Sequence, residues 1–361
     1  MNRPVLTLML LVLIGSAVLL TPLPTPRTRA ASGGDVELFR GIVSELRQGA
    51  PYYEAFGTGL RRDNYPAGQA FNWRTPLHLA TIAVAPEILA RVVLIALGGL
   101  LVAATLTITL RESPTTALVA GAMQLGVTAM ISAPPAVYMG ESWAGLFVGL
   151  STAAYALSRH TLAISLTVLA LFFRELAAPY YVICGLTAVM QNRKRAVIAW
   201  TVGLMAYAIY YARHVQQVGL HQQPGDLTHP ASWLQFGGLP FLLSTVRWNA
   251  WLTALPPIFT GVALVLIVLG VANARAPLFV RLTSAAYAVF FLLAGQSFNQ
   301  YWGLIAWPTW AICAGFGADD LVSSIRIAAV LLRSRNPLRR RGLPDRDLLT
   351  AHPVRVKPVN N

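Results

Sequence analysis

Hydrophobic residues fall into long runs along this chain, and polar segments separate the runs. The first run covers residues 5–20 and ends at a group of prolines, and a polar segment, 31–75, follows it. Most later runs approach the roughly 20 residues that a helix needs to cross a hydrocarbon core of about 30 Å. Further spans are predicted at 87–110, 115–133, 141–157, 162–173, 177–190, 196–211, 251–271, 278–296 and 302–317. The pattern therefore predicts an all-α protein, a polytopic transmembrane helix bundle of about ten spans.

The polar segment 31–75 has a helical pattern of its own. Val36, Phe39, Val43 and Leu46 recur at the spacing of one helix face, and Gly49 is placed as a stop signal. This spacing predicts an amphipathic helix over 35–48, lying along the membrane surface. A second, less regular helical segment is expected over 52–62, and a short interfacial helix over 76–85.

The two ends of the chain invite separate predictions. The run 5–20 is either a cleaved secretory signal peptide or an uncleaved first span, and both alternatives place 31–75 outside the cytoplasm. We predict one transmembrane domain over 1–334. The basic tail 335–361 is expected to be cytoplasmic and disordered.

Composition and charge support a membrane protein. Of the 361 residues, 55% are hydrophobic and 12% are charged, whereas about a quarter of a soluble domain is charged. The net charge of +14 is concentrated in the tail and in loops that alternate spans place on one side. The basic residues of these loops are Arg111, Arg159, the cluster 193–195 and Arg275. The positive-inside rule makes that side cytoplasmic, so we predict a multi-pass protein of the inner or plasma membrane with both termini in the cytoplasm.

The basic residues indicate lipids rather than nucleic acid as partners. Aromatic residues, which stack on bases, are not interleaved with the arginines of the tail. Attraction to anionic membrane lipids explains their placement better. Cys184 and Cys313 lie far apart in apolar segments and are expected to be packing residues, and no metal-ligand spacing is present, so no metal site is predicted.

The acidic pair Asp35 and Glu37 is the main candidate for chemistry. It stands directly after Gly33-Gly34, at the predicted start of the amphipathic helix. Residues two apart in a helix project to different sides, so both acids face one substrate atom only if the helix starts after Asp35. The alternative role is structural, because carboxylates in a first turn cap free amides and complement the helix dipole.

A second candidate is the pair Arg174-Glu175, which lies between two short apolar runs. Thirteen or fourteen residues on either side reach about 20 Å, which is short of the hydrocarbon core. The pair is therefore expected to lie below the outer surface, where ionisable groups usually face a cavity. It is either a neutralised pair or a site where Arg174 binds a lipid phosphate, with Glu175 binding sugar hydroxyls or orienting the arginine. Glu141, at the outer end of its span, is a weaker candidate.

Aromatic residues at the predicted outer surface complete the set of candidates. Tyr52, Tyr53 and Tyr301 lie where interfacial aromatic belts form, and a belt is their default explanation. Stacking on sugar rings is the alternative.

These features together resemble the GT-C superfamily of integral membrane glycosyltransferases. In that superfamily an acidic motif follows the first span, within a long first loop that carries amphipathic helices; here the motif is Asp35-Val36-Glu37. Arg174-Glu175 in a short-span hairpin, followed by a basic cytoplasmic turn, is also similar. The resemblance implies a polyprenyl-phosphate-linked sugar as donor, a lipid or glycan acceptor and transfer outside the cytoplasm.

The resemblance also implies roles for individual residues. Asp35 is expected to be the general base that deprotonates the acceptor hydroxyl, with Glu37 as the second acid, and the reaction inverts the anomeric carbon. Arg174 is the first choice to pair with the leaving phosphate, and Arg74 is the second. The remaining expected substrate-binding residues are Glu175, Glu141, Tyr52, Tyr53 and Tyr301. Some members use a divalent metal and others do not, and a single Asp-x-Glu leaves metal dependence open.

Two other functions compete with glycosyl transfer. A polytopic transporter or lipid flippase usually places ionisable residues near the bilayer midplane, often in repeated halves. Here the acids lie near the outer surface and no internal repeat is evident. A non-catalytic scaffold for envelope assembly is the third hypothesis. Glycosyl transfer is the leading one.

Overall fold

The computed structural model describes residues 15, 34–228, 235–296 and 298–334. These residues form an all-α fold, which confirms the predicted class. The run 5–20 (apart from Gly15) and the tail 335–361 lie outside the described residues, so the predictions about them stay predictions.

The α-helices are α1 (Gly34–Arg47), α2 (Tyr52–Arg62), α3 (Pro76–Ala83), α4 (Glu87–Thr109), α5 (Pro114–Ile131), α6 (Gly140–Ala156), α7 (His160–Phe173), α8 (Ala178–Met190), α9 (Lys194–His221), α10 (Gly238–Val246), α11 (Ala250–Ala254), α12 (Ile258–Ala272), α13 (Leu278–Leu293) and α14 (Gly303–Ser334). Short 3₁₀ helices cover Ala70–Asn72, Pro134–Tyr138, Glu175–Ala177 and Gln300–Trp302.

The helical parts of the polar segment follow the predicted pattern. Helix α1 covers the predicted 35–48 within a residue, and α2 covers the predicted 52–62. Helix α1 buries Phe39 and Val43, two of the four residues that defined its apolar face. Helix α3, expected to be interfacial, ends two residues before the predicted limit.

Two predictions about the second half of the chain were wrong. The predicted span 251–271 is two helices, α11 and α12, because Pro256 and Pro257 lie between them and proline interrupts helical hydrogen bonding. The segment 213–250 was expected to be an external loop because it lies between the predicted spans 196–211 and 251–271, but it contains α10 and the last nine residues of α9. The residues after 211 are polar but favour helix, so α9 continues to His221.

Among the described residues, three helices are long and apolar enough to cross a membrane, namely α4, α5 and α9. The same residues include four shorter apolar segments of 14–16 residues each, which are α7, 175–190, α12 and α13. Helices α4 and α9 also expose large apolar side chains, among them Leu100 on α4 and Ile198 and Ile209 on α9. Such faces are unfavourable in water and match the acyl chains of a bilayer.

Helices α6 and α14 form the centre of the bundle. Every residue of α6 from Gly140 to Ala154 is buried, and Trp307 and Trp310 of α14 are fully buried. Helix α14 packs against α5, α6, α12 and α13. Small residues allow these close approaches, because a Cβ atom on Gly270 would collide with the Cys313 carbonyl of α14.

Helices α1, α2 and α3 pack together at one end of the bundle. Helix α2 and the loop that follows it are both tied to the loop that follows α9. Arg61 of α2 donates to both oxygens of Asp226, at 2.7 and 2.9 Å. The Gly68 amide of the loop donates to the Leu227 carbonyl at 2.9 Å. These contacts fix the path of the segment that leads from α2 to Arg74.

Candidate active site around Asp35

Asp35 stands in the first turn of α1. Gly34 has φ of +71°, a conformation that favours glycine, and the helix begins there. The Asp35 carboxylate accepts two hydrogen bonds from distant parts of the chain: the Tyr65 hydroxyl donates to Oδ1 and the Tyr301 hydroxyl donates to Oδ2, both at 2.8 Å. The two tyrosines therefore fix the orientation of this carboxylate.

The hydroxyl of Tyr301 stays protonated at any ordinary pH. Burial raises the pKa of Tyr301 well above its usual range, and the neighbouring Asp35 carboxylate raises it further. The phenol is therefore a permanent donor to the carboxylate.

A cavity of about 60 Å³ adjoins Asp35 and contains the cation Arg74. The other lining residues are Leu38, Phe39, Leu60, Tyr65, Pro66, Asn72, Phe298, Asn299 and Tyr301. The lining thus combines a carboxylate, a guanidinium, two phenols and two amides with apolar walls. Ligand sites likewise combine apolar walls with a few polar groups that point at one place.

Arg74 is held in place by its backbone and by its side chain. The Tyr52 hydroxyl donates to the Arg74 carbonyl at 2.8 Å, and the guanidinium carbon lies 5.8 Å from the centre of the Phe39 ring. One guanidinium nitrogen is 4.0 Å from Glu175. Burial opposes the charged form of Arg74, but the nearby Tyr301 and acidic side chains outweigh burial and raise its pKa.

Arg174 lies behind Glu175, in the turn between α7 and α8. Its side chain is 1% exposed and donates from Nε to Glu141 at 2.6 Å, and from Nη1 to Glu175. Its third nitrogen, Nη2, is buried without a hydrogen-bond partner among the described residues. Arg174, Glu175 and Arg74 thus form a continuous charged cluster that reaches the cavity at Arg74.

The residues named from the sequence are not all brought together. Asp35, Arg74 and Tyr301 line the cavity, and Glu175 and Glu141 are linked to it through Arg74 and Arg174. Glu37 points away: its side chain is 52% exposed and pairs with Arg40. Asp35 and Glu37 therefore project to different sides of α1, as helix geometry predicts for residues two apart. Glu37 is not part of the cavity.

Two tyrosines proposed from the sequence have other surroundings. Tyr52 supports the Arg74 backbone rather than lining the cavity. The Tyr53 hydroxyl lies 3.1 Å from Nδ1 of His214, and Tyr53 lines a different, open pocket beside α9. Neither one contacts Asp35.

Sequence reasoning missed Tyr65 and Asn299. Tyr65 lies 30 residues after Asp35 in the same polar segment, and the path of the loop brings it back to the carboxylate. Asn299 lies next to Tyr301 in sequence and lines the same cavity. No spacing rule selects either residue, because both contacts depend on how separate loops pack.

His78 on α3 is a further buried group near the charged cluster. Its Nε2 atom lies 3.2 Å from the Val137 carbonyl, and its other ring nitrogen lies beside Gly140. Burial lowers the pKa of His78 to about 4, so the ring is neutral at pH 7.

Over the described ranges, no group of three or more His, Cys, Asp and Glu side chains is placed to hold a metal ion. Both cysteines are buried, and they are not joined to each other. Comparison of the sequence with models of protein families, with curated proteins and with solved structures gives no match.

Proposed function

We propose that this chain is a membrane glycosyltransferase of the GT-C type, which moves a sugar from a polyprenyl-phosphate donor to a lipid or glycan acceptor of the cell envelope. The observation that carries the proposal is the Asp35 carboxylate, oriented by two tyrosine hydroxyls in a cavity that also contains Arg74. A carboxylate and a cation are the two groups that this transfer requires. Behind Arg74, the side chains of Glu175, Arg174 and Glu141 place further negative and positive charges at this end of the bundle.

Asp35 acts as the general base in this mechanism. A carboxylate has about four acceptor positions, and Tyr65 and Tyr301 occupy two of them, which leaves lone pairs for an acceptor hydroxyl. Asp35 takes the hydroxyl proton while the acceptor oxygen forms a bond to the anomeric carbon. The bond from that carbon to the phosphate oxygen breaks, polyprenyl phosphate leaves with the electron pair, and the anomeric configuration inverts.

Arg74 is the residue that we assign to the leaving phosphate. A cation is needed there because negative charge develops on the phosphate oxygen as the bond breaks. Arg74 lines the cavity, is 19% exposed and lies a full 4.0 Å from its nearest carboxylate. Arg174 is fully buried and engaged by Glu141 and Glu175, so we give it the role of holding Glu175 and the cluster in place. The sequence favours Arg174 over Arg74 as the partner of the leaving phosphate, and this assignment reverses that order.

The cavity has to widen when donor and acceptor bind. Its volume of about 60 Å³ has room for about two water molecules. A sugar with its phosphate is larger, so some lining side chains must move on binding, as happens in many ligand sites.

The proposed setting is a bundle of about ten spans in the inner or plasma membrane, with Asp35 outside and both termini in the cytoplasm. The distribution of charge supports this orientation. Arginines at the Asp35 end, such as Arg61 and Arg62, are paired with carboxylates, whereas the opposite end carries the exposed basic residues Arg111, Arg159 and 193–195.

A pair of substitutions in the first turn of α1 tests the catalytic assignment. Membranes that contain each variant are given a panel of radiolabelled polyprenyl-phosphate sugars, and label is counted in the lipid and glycan fractions. D35N is expected to lower the transfer rate by about 100-fold or more, since it removes the base. E37Q is the matched control and should keep the rate within about twofold, because Glu37 faces solvent and loses only an exposed ion pair.

Two results would overturn the proposal. Equal transfer by D35N and the wild type at equal protein levels removes Asp35 from the chemistry. The transporter hypothesis replaces glycosyl transfer if the wild type transfers no sugar from any donor but catalyses counterflow of labelled substrate in proteoliposomes.

A further inference from the structure

A second cavity lies at the end of the bundle that is opposite Asp35. Its volume is about 400 Å³, and it is formed where α4, α6 and α8 end and α13 begins, with α14 behind it. Helix α6 runs from Glu141, in the charged cluster near Asp35, to Thr152 and Ala156, in this cavity. Eleven to fifteen residues at 1.5 Å each separate the two sites by about 20 Å. The proposed transfer chemistry does not use this cavity.

The cavity has an apolar floor and a polar rim. Its floor consists of buried side chains, which are Phe279, Val280, Ile312 and Phe316, with Thr152 and Thr187 beside them. Its rim consists of exposed residues, of which Arg111, Glu112 and Gln191 are polar and Ala156 and Leu278 are apolar. A molecule that fits this lining has an apolar body and a polar end.

The surface around the mouth is apolar on the side that faces outward. Leu278 belongs to the rim and is 46% exposed, and Leu282 follows one turn later on α13. On α8, Leu186 and Met190 are exposed on either side of the lining residue Thr187. Exposed apolar side chains therefore lie beside the mouth of the cavity, where an acyl chain can cover them.

Charge at this end favours a negatively charged headgroup. Arg111 lies on the rim, and Arg159 and the exposed cluster 193–195 lie at the adjoining helix ends. Arg193 contacts His160, whose ring packs edge-on against the rim-side residue Tyr155. On the rim, Glu112 stands against Arg111. Asp319 and Asp320 also lie at this end and share Arg275. Six basic residues of this end (Arg111, Arg159, Arg193, Lys194, Arg195 and Arg275) outnumber these three acids.

We propose that this cavity binds one anionic phospholipid, with an acyl chain on the Phe279 and Phe316 floor and the phosphate at Arg111. Arginine suits the phosphate because its guanidinium donates two parallel hydrogen bonds. The site holds a lipid of the leaflet at this end of the bundle and is separate from the donor site that we propose at Asp35.

Native mass spectrometry of the full-length protein tests the proposal. The protein is reconstituted in nanodiscs of phosphatidylglycerol or phosphatidylcholine, extracted into detergent, and examined for retained lipid. The wild type is expected to keep one phosphatidylglycerol and to keep phosphatidylcholine at least about fivefold less, since one arginine at an anionic lipid headgroup gives a preference of that order.

Two matched pairs of variants separate the cavity from the general surface. R111Q should lower phosphatidylglycerol retention about fivefold, whereas R159Q, at the same end but outside the cavity, should leave it unchanged. A156W places an indole at the rim and should abolish retention, whereas A103W, on the exposed face of α4, should not. Thermal unfolding of A156W in lipid-free detergent should match that of the wild type, which shows that the fold is intact.

The proposal is overturned if R111Q and R159Q lower retention equally, because diffuse surface charge then explains the binding. It is also overturned if A156W retains the lipid, or if phosphatidylcholine is retained as well as phosphatidylglycerol. These outcomes do not depend on the transfer reaction, so the lipid site and the proposed function can fail separately.

Discussion

Replacing Arg174 by methionine removes the cation that lies between two carboxylates at the centre of the charged cluster. Methionine keeps most of the apolar stem of the side chain, so the main change is electrostatic. Glu141 then loses its partner at 2.6 Å while its side chain stays 3% exposed. A buried carboxylate without a partner is costly because the interior does not solvate it as water does.

The size of the effect follows from the burial of the pair. Removing one partner of a buried ion pair costs about 3–5 kcal/mol of the free energy of unfolding, and we expect R174M to fall in this range. E141Q should cost less, about 1–3 kcal/mol, because Arg174 keeps Glu175. The double variant removes both charges, so its cost should be below the sum of the two single costs by about 2–3 kcal/mol.

Reversible unfolding of the full chain in mixed detergent micelles measures these free energies. R62M is the matched control, since Arg62 also pairs with two carboxylates, Glu45 at 3.1 Å and Asp63 at 3.0 Å, but is 47% exposed. Its cost should stay below about 1 kcal/mol, as for other surface ion pairs. A cost of R174M no greater than that of R62M would contradict this expectation, as would costs of R174M and E141Q that simply add in the double variant.

Three further predictions concern the site and its surroundings. Y301F removes one of the two donors to Asp35 and should lower sugar transfer about 10- to 100-fold at unchanged protein levels. This loss corresponds to about 1.5–3 kcal/mol, the contribution of a hydrogen bond to a charged group. A rate within twofold of the wild type would refute the role of the phenol. R74K keeps the charge but loses the planar fork, so kcat should fall more than KM changes, and an unchanged kcat would argue against contact with the leaving phosphate. His78 is neutral in the folded protein with a pKa of about 4 and titrates near 6.5 when unfolded. Between about pH 4 and pH 6.5 the unfolded chain therefore binds a proton at His78 that the folded chain does not bind. Lowering the pH from 7 to 4.5 should remove about 2–3 kcal/mol from the free energy of unfolding of the wild type. An equal loss in H78Q would assign the pH dependence to other groups.

The sequence predicts α1 well because one physical signal dominates there. The apolar residues Val36, Phe39, Val43 and Leu46 recur at helical spacing, and Gly49 ends the pattern. The observed helix ends at Arg47. The position of Asp35 in its first turn, and the outward direction of Glu37, follow from the same periodicity.

The helices of the second half are less predictable, because hydrophobicity there does not mark where helices begin and end. The run 251–271 is apolar throughout, yet Pro256 and Pro257 divide it into α11 and α12. Helix α10 follows Gly237 and contains Pro240, residues that usually indicate a loop. Packing against α13 and α14 stabilises α10 in spite of that composition.

The site depends on contacts that spacing does not encode. Asp35, Arg74 and Tyr301 come from three segments separated by up to 266 residues, and their composition made each of them a candidate. Their arrangement depends on the loop between α2 and α3, which the contacts to Asp226 and Leu227 hold in place. For this reason the sequence ranked Arg174 above Arg74, whereas the structure places Arg74 in the cavity.

The structure of D35N bound to a non-hydrolysable polyprenyl-phosphonate sugar tests the central claim most directly. We expect the phosphonate oxygens within hydrogen-bond distance of the Arg74 guanidinium, and the anomeric carbon facing residue 35 from the side opposite the phosphonate. A ligand that is bound with its phosphonate away from Arg74, or in the cavity beside Arg111, would contradict it.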